Sequence, residues 1–185
     1  MTLSTQQIPQ FRIKTHTAGF QLSDPLLDIL ETEINKDTTT VRLMAESISD
    51  DTSTGGNKPE PEPELLTRTT EDKHAGGLVH ESSISMITLN FRDPNYGPES
   101  GGFHPVEIAI ARKGELIYVT DFAYVGSGYF AELDRELDFD FAGQQFVHGS
   151  RAYKLQTGRA MFDLWQANFC SYYRMGVYTV EVTVL

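Results

Sequence analysis

The sequence is short of cysteine, of basic residues and of long apolar runs, and each shortage closes off a class of function. Cys170 is the sole cysteine among 185 residues, so no disulfide can form within the chain. Lys and Arg number 15 against 26 Asp and Glu, a formal net charge of −11. Such a balance disfavours nucleic-acid phosphate and anionic membrane, both of which are bound through basic patches. The acidity is uneven: residues 46–72 hold eight acids against Lys58 and Arg68, a net of −6. From Val106 onward ten acids face seven bases, which weakens the idea of a folded nucleic-acid mimic. No apolar run approaches the roughly 20 residues of a membrane span. The opening MTLSTQQIPQFRIK carries no basic stretch followed by an apolar one. The expectation is a soluble, cytoplasmic protein.

What the chain does have is β patterning around a glycine- and proline-rich loop. Val106, Ile108 and Ile110 alternate with Glu107, Ala109 and Ala111, and Leu116–Val125 is rich in β-branched and aromatic residues; both are strand signatures. Lys113-Gly114 between them predicts a two-residue hairpin turn. With Arg112 opposite Glu115, Ile110 faces Ile117, Ile108 faces Val119 and Val106 faces Asp121. His104 shares that parity, so His104 and Asp121 fall together on an otherwise apolar face, while Glu107 points to the other.

The flanking segments complete an α+β reading. Ile8–Thr17 is expected to be a short strand with Phe11 and Ile13 on one face. Ser23 followed by Asp24-Pro25 predicts a helix start, and Leu26, Leu27, Leu30 and Ile34 recur at helical spacing over 24–36. Residues 38–80, with threonines, acids and the Pro59–Pro63 run, predict a flexible insertion. Ile84–Phe91 reads as a strand, 93–105 as a structured loop, and Gly126–Tyr129 as a turn. Leu137, Phe139 and Phe141 form the apolar side of a strand whose outer stripe is Glu136, Asp138 and Asp140; Gln144–His148 pairs back on it. Residues 158–174 predict the main helix, with Met161, Phe162, Trp165, Phe169, Tyr172 and Tyr173 on one arc, and Tyr178–Val184 a last strand. The organisation expected is a single domain: 1–37 as a segment and helix on the body, 38–80 as insertion, 81–185 as core. That core is a mainly antiparallel sheet of about six strands with the long helix across one face.

NFRDPNYGPESGGFHPVEI, YVTDFAYVG, ELDFDF and the terminal LWQANFCSYYRMGVYTVEVTV, in that order over about 84–185, resemble the bacterial family catalogued as domain of unknown function 2787. The resemblance implies a small bacterial protein, with a proteobacterial source and carriage on a mobile element as the expectation. It carries over neither an activity nor catalytic residues.

Several residues bear chemistry. His104, Asp121 and Glu107 offer an acid–base or metal site, because a histidine beside a carboxylate is the orienting arrangement of both. Only two of the three converge, however, and no H-E-x-x-H spacing supplies a third ligand, so satisfied polar burial is the stronger reading. Arg92-Asp93 can clamp an anion or pin its own loop. Glu136, Asp138 and Asp140 can meet calcium or a basic partner, but strand alternation favours a solvated face, without calcium-loop geometry. Gly126-Ser-Gly128 is too short for a phosphate loop, and Cys170 reads as an inert thiol. No cofactor and no metal is expected. Two classes of function stay open: a non-enzymatic module binding another protein, which is favoured, and a small hydrolase or metal-dependent enzyme centred on His104 and Asp121. A concave pocket at the 93–105 loop with both side chains exposed would favour the enzyme.

Overall fold

The structure, a computed structural model, describes residues 10–36 and 86–185; the expected insertion at 38–80 lies outside the described residues. The chain enters through β1 (His16–Thr17) and β2 (Phe20–Gln21), then α1 (Asp24–Lys36). Next come β3 (Met86–Arg92), β4 (Val106–Ala111), β5 (Leu116–Val125), β6 (Glu132–Asp140), β7 (Gln145–His148) and β8 (Arg151–Lys154). A 3₁₀ turn leads into α2 (Arg159–Arg174), and β9 (Thr179–Val184) closes the chain. Among the described residues, β3 to β9 form a seven-stranded sheet in the order β8-β7-β6-β5-β4-β3-β9, antiparallel at every pairing. This is the α+β architecture expected, with one more strand: the β7–β8 hairpin, turning at Gly149-Ser150, has no apolar alternation to announce it and β8 is exposed throughout.

Six strands meander across the sheet, and α2 then carries the chain back so that β9 pairs beside β3. Its 16 residues make a rod of about 24 Å, enough to cross five strand spacings of about 4.8 Å. It crosses the face made by Ile87, Leu89 and Phe91, Val106 and Ile108, Val119, Phe139 and Phe141, to which it adds Phe162, Trp165 and Phe169, all buried. Several aromatic contacts between sheet and helix are edge-to-face, as for Phe91–Phe169 at 4.9 Å and 88° and Phe139–Phe162 at 5.2 Å and 73°, an arrangement ring quadrupoles favour.

The N-terminal expectations need two corrections. Phe11 and Ile13 are buried together, but their backbone is not in a strand: Asn35 of α1 bonds both the Phe11 N–H (2.9 Å) and its carbonyl (3.1 Å), and Glu31 accepts the Ile13 N–H at 2.9 Å. Side chains of α1 have replaced a neighbouring strand. On α1 itself, Ile29 rather than Leu27 joins Leu26, Leu30 and Ile34 in the core. Glu33 is buried too, because the Tyr173 hydroxyl donates to it and Lys36 lies 2.6 Å away.

The hairpin has the expected register at one end, for a reason the sequence hides. The turn is not a two-residue one. Ala111 accepts from Gly114 N–H and donates to Glu115 (both 2.8 Å), leaving a three-residue loop 112–114 with Gly114 at φ +86°. Ile110 therefore faces Leu116, not Ile117. A bulge at Ile117 then restores the count, so Ile108 does face Val119 and Val106 does face Asp121.

Candidate functional site

The site forms where β4, β5 and β6 leave the shelter of the sheet's middle. The 93–105 loop is set first by Asp93, whose carboxylate accepts the N–H groups of Asn95 (2.8 Å) and Phe103 (3.0 Å); these bonds hold its carboxyl below the usual range. Asp93 thus pins its own loop, and no ion pair joins it to Arg92. Gly102 at φ +122° lets the chain pass close, since a Cβ there would sit 2.9 Å from Asp93 Oδ2 and 3.1 Å from Tyr96 Cα. The loop then delivers His104 one turn of pleat before β4, with the Tyr178 hydroxyl donating to its carbonyl at 3.3 Å.

His104 Nδ1 lies 2.8 Å from Asp121 Oδ1 and 3.0 Å from Glu136 Oε2. Both neighbours are acceptors, so the Nδ1 proton is fixed by its surroundings. The other oxygen of Asp121 accepts the indole N–H of Trp165 at 3.1 Å. The hydrogen bond to Asp121 raises the His104 pKa above its ordinary value, burial opposes it, and the charges of Asp121 and Glu136 add to it. Nearby, burial and then the Asp121 charge push the Tyr178 phenol up, so it stays a neutral donor.

Glu136 is the residue sequence reasoning placed on the wrong face. Strict alternation puts it outward with Asp138 and Asp140. In the structure Asp121 pairs with Leu137 and Phe122 with Arg135, so Glu136 is the extra residue of a β-bulge, and the bulge re-aims it towards His104. No residue type marks that bulge. The remaining candidates go elsewhere. Glu107 is on the opposite face, accepting from the Tyr118 hydroxyl at 2.7 Å. Asp138 is buried there, bonded by Thr120 Oγ1 (2.7 Å) and Arg135 (3.2 Å). Asp140 caps the next turn by accepting Gly143 N–H at 2.6 Å. Cys170 is buried, its thiol pushed up by that burial with Arg174 opposing, and it lies outside the site.

The triad forms the floor of a cleft of about 290 Å³ between the 93–105 loop and α2. Phe103, Trp165, Phe169, Tyr172 and Tyr178 wall it, and Met161, Leu164 and Asn168 belong to its α2 side. Met161, Trp165, Phe169 and Tyr172 belong to the arc expected from the sequence, whereas Asn168 and Leu164, the latter 57% exposed, lie outside it. The pocket expected of an enzyme is present, but the exposure is uneven: the side chain of His104 is 38% exposed and that of Asp121 13%.

A family model described as "Protein of unknown function (DUF2787)" matches residues 64–183, a span that includes every residue of this cleft. The chain belongs to that family. Two solved structures of family-sized likeness come from Vibrio cholerae. One, a hypothetical protein from the VSP-II pathogenicity island, is 40% identical, with 52% of this chain and 80% of that chain covered at a TM-score of 0.48. The other, a conserved hypothetical protein from pathogenicity island VPI-2, described as sharing structural homology with a human protein, is 38% identical, covering 52% and 79% at a TM-score of 0.47. No curated protein matches the chain. Family membership therefore brings no activity with it. Among the described residues, no helix is long and apolar enough to cross a membrane.

Proposed function

We propose that the protein is a non-enzymatic interaction module that seats one side chain of a protein partner in the cleft between α2 and the 93–105 loop. The observation that carries the reading is an aromatic-walled cleft whose polar floor is already mutually bonded. A partner residue with an apolar body and a polar end suits it, the body against Phe103, Trp165 and Tyr172, the end towards Glu136. Concave aromatic surface of this kind is what anchors interfaces. Two features weigh against catalysis. Both Asp121 oxygens are engaged, by His104 and Trp165, and no Ser, Thr, Cys or Lys lines the cleft among the described residues. The second reading, a small hydrolase or metal-dependent enzyme centred on His104 and Asp121, draws support from the convergence of Glu136 on that pair.

Site-specific photo-crosslinking in the native host separates the two. A crosslinker at Leu164 should capture a discrete protein, lose it on Tyr172→Ala, and capture nothing from the distant Lys154. Turnover of an ester or phosphoester panel that disappears with Asp121→Asn would instead transfer the function to the enzyme reading.

A further inference from the structure

We propose that His104, Asp121 and Glu136 form a binding site for a single first-row divalent cation, of the zinc or manganese class, at the floor of the cleft. Their ligand atoms lie within 4.8 Å of one another, and His104 Nδ1 stands 2.8 and 3.0 Å from the two carboxylate oxygens. Metal–ligand bonds of about 2.1 Å place neighbouring donors of an octahedron about 3.0 Å apart, close to the spacing of Nδ1 from each carboxylate oxygen, and the ion would take the place of the Nδ1 proton. One imidazole and two carboxylates give a charge of −2 with neutral His104, matching the ion, and a mixed nitrogen and oxygen set selects this class over magnesium or calcium. The three residues come from the loop before β4, from β5 and from the β6 bulge, and meet at the floor of the cleft. Trp165 holds the far oxygen of Asp121 at 3.1 Å, the outer contact that orients a ligating carboxylate. Open coordination positions would face the cleft. The inference concerns the floor of that same cleft, towards which the proposed partner's polar end points, but its test needs no partner.

The test is titration of untagged, chelator-stripped full-length protein with Zn²⁺ and with Mn²⁺, followed by calorimetry and by the His104 imidazole resonances. One equivalent of either ion should bind; Zn²⁺ should shift those resonances and paramagnetic Mn²⁺ should broaden them. Glu136→Gln, a change at a half-exposed side chain, should keep the melting temperature yet weaken binding by more than about tenfold, and Trp165→Phe by about tenfold. His16→Ala should change nothing. Absence of saturable binding, or binding that Glu136→Gln and Asp121→Asn leave intact, overturns the assignment; crosslinking from Leu164 would then still report on the partner.

Discussion

Strands β5 and β6 carry two polar clusters, one on each face, built from adjacent residues. On one face Thr120 and Arg135 both donate to Asp138, with Thr120 and Asp138 buried at 4% and 8% exposure. On the other, one residue along, Asp121 meets His104, Glu136 and Trp165 at the bottom of a cleft. The chemistry is similar, and the difference lies in access. Asp138 follows strict alternation and ends in a closed cluster that locks two strands together. Glu136 sits on the bulge and ends in an open one. A carboxylate stripe along a strand is therefore not one unit; a single extra residue divides it between a closed cluster and an open cleft.

The largest expected effect falls on the residue that joins the open cluster to the core. Trp165 is 5% exposed, and Trp165→Ala should cost roughly 3–5 kcal/mol. Urea unfolding measures it, and a loss below about 1 kcal/mol would mean that α2 does not depend on this ring. Next comes the closed cluster. Asp138→Ala strands the buried Thr120 hydroxyl and should cost about 1–3 kcal/mol, most of it kept in high salt because the Thr120 bond is not an ion pair. Glu136→Gln, only two residues away, should change stability by no more than about 0.5 kcal/mol. Equal losses for the two would erase the distinction between locked and open faces.

The sheet was legible because period-2 patterning survives wherever one face is buried, as in Val106, Ile108 and Ile110. The main helix was legible for the matching reason. The site was legible by half. His104 and Asp121 come together on parity alone, because a three-residue turn and a bulge at Ile117 jointly leave the register of a two-residue turn beyond them. Gly114 shows why. Its φ of +86° suits either loop, and what fixes the longer one is the N-terminal strap: a Cβ at Gly114 would lie 2.5 Å from the Arg12 carbonyl, and Lys14 N–H bonds the Gly114 carbonyl at 2.9 Å. Contacts so distant in sequence leave no local signature. Glu136 was missed likewise, because its bulge is set by pairing with β5.

The smallest effect falls on the open cluster, since it alone of the two contains a histidine. His104 has its pKa raised chiefly by the hydrogen bond to Asp121. The sign follows from which state holds the proton more tightly. Folded His104 does, so its contribution is fully present below the unfolded histidine value of about 6.5 and is lost as pH rises through the higher folded value. The side chain is 38% exposed, and solvent screening keeps the contribution small. In metal-free protein, NMR titration of His104 should give a raised pKa in wild type, a clear fall towards the ordinary value in Asp121→Asn, and a lesser fall in Glu136→Gln. That order follows from causes: Asp121 contributes a hydrogen bond and a charge, Glu136 a charge. An Asp121→Asn titration superimposable on wild type would show that the two groups do not interact, and with that the hairpin register joining Val106 to Asp121 would fail as well.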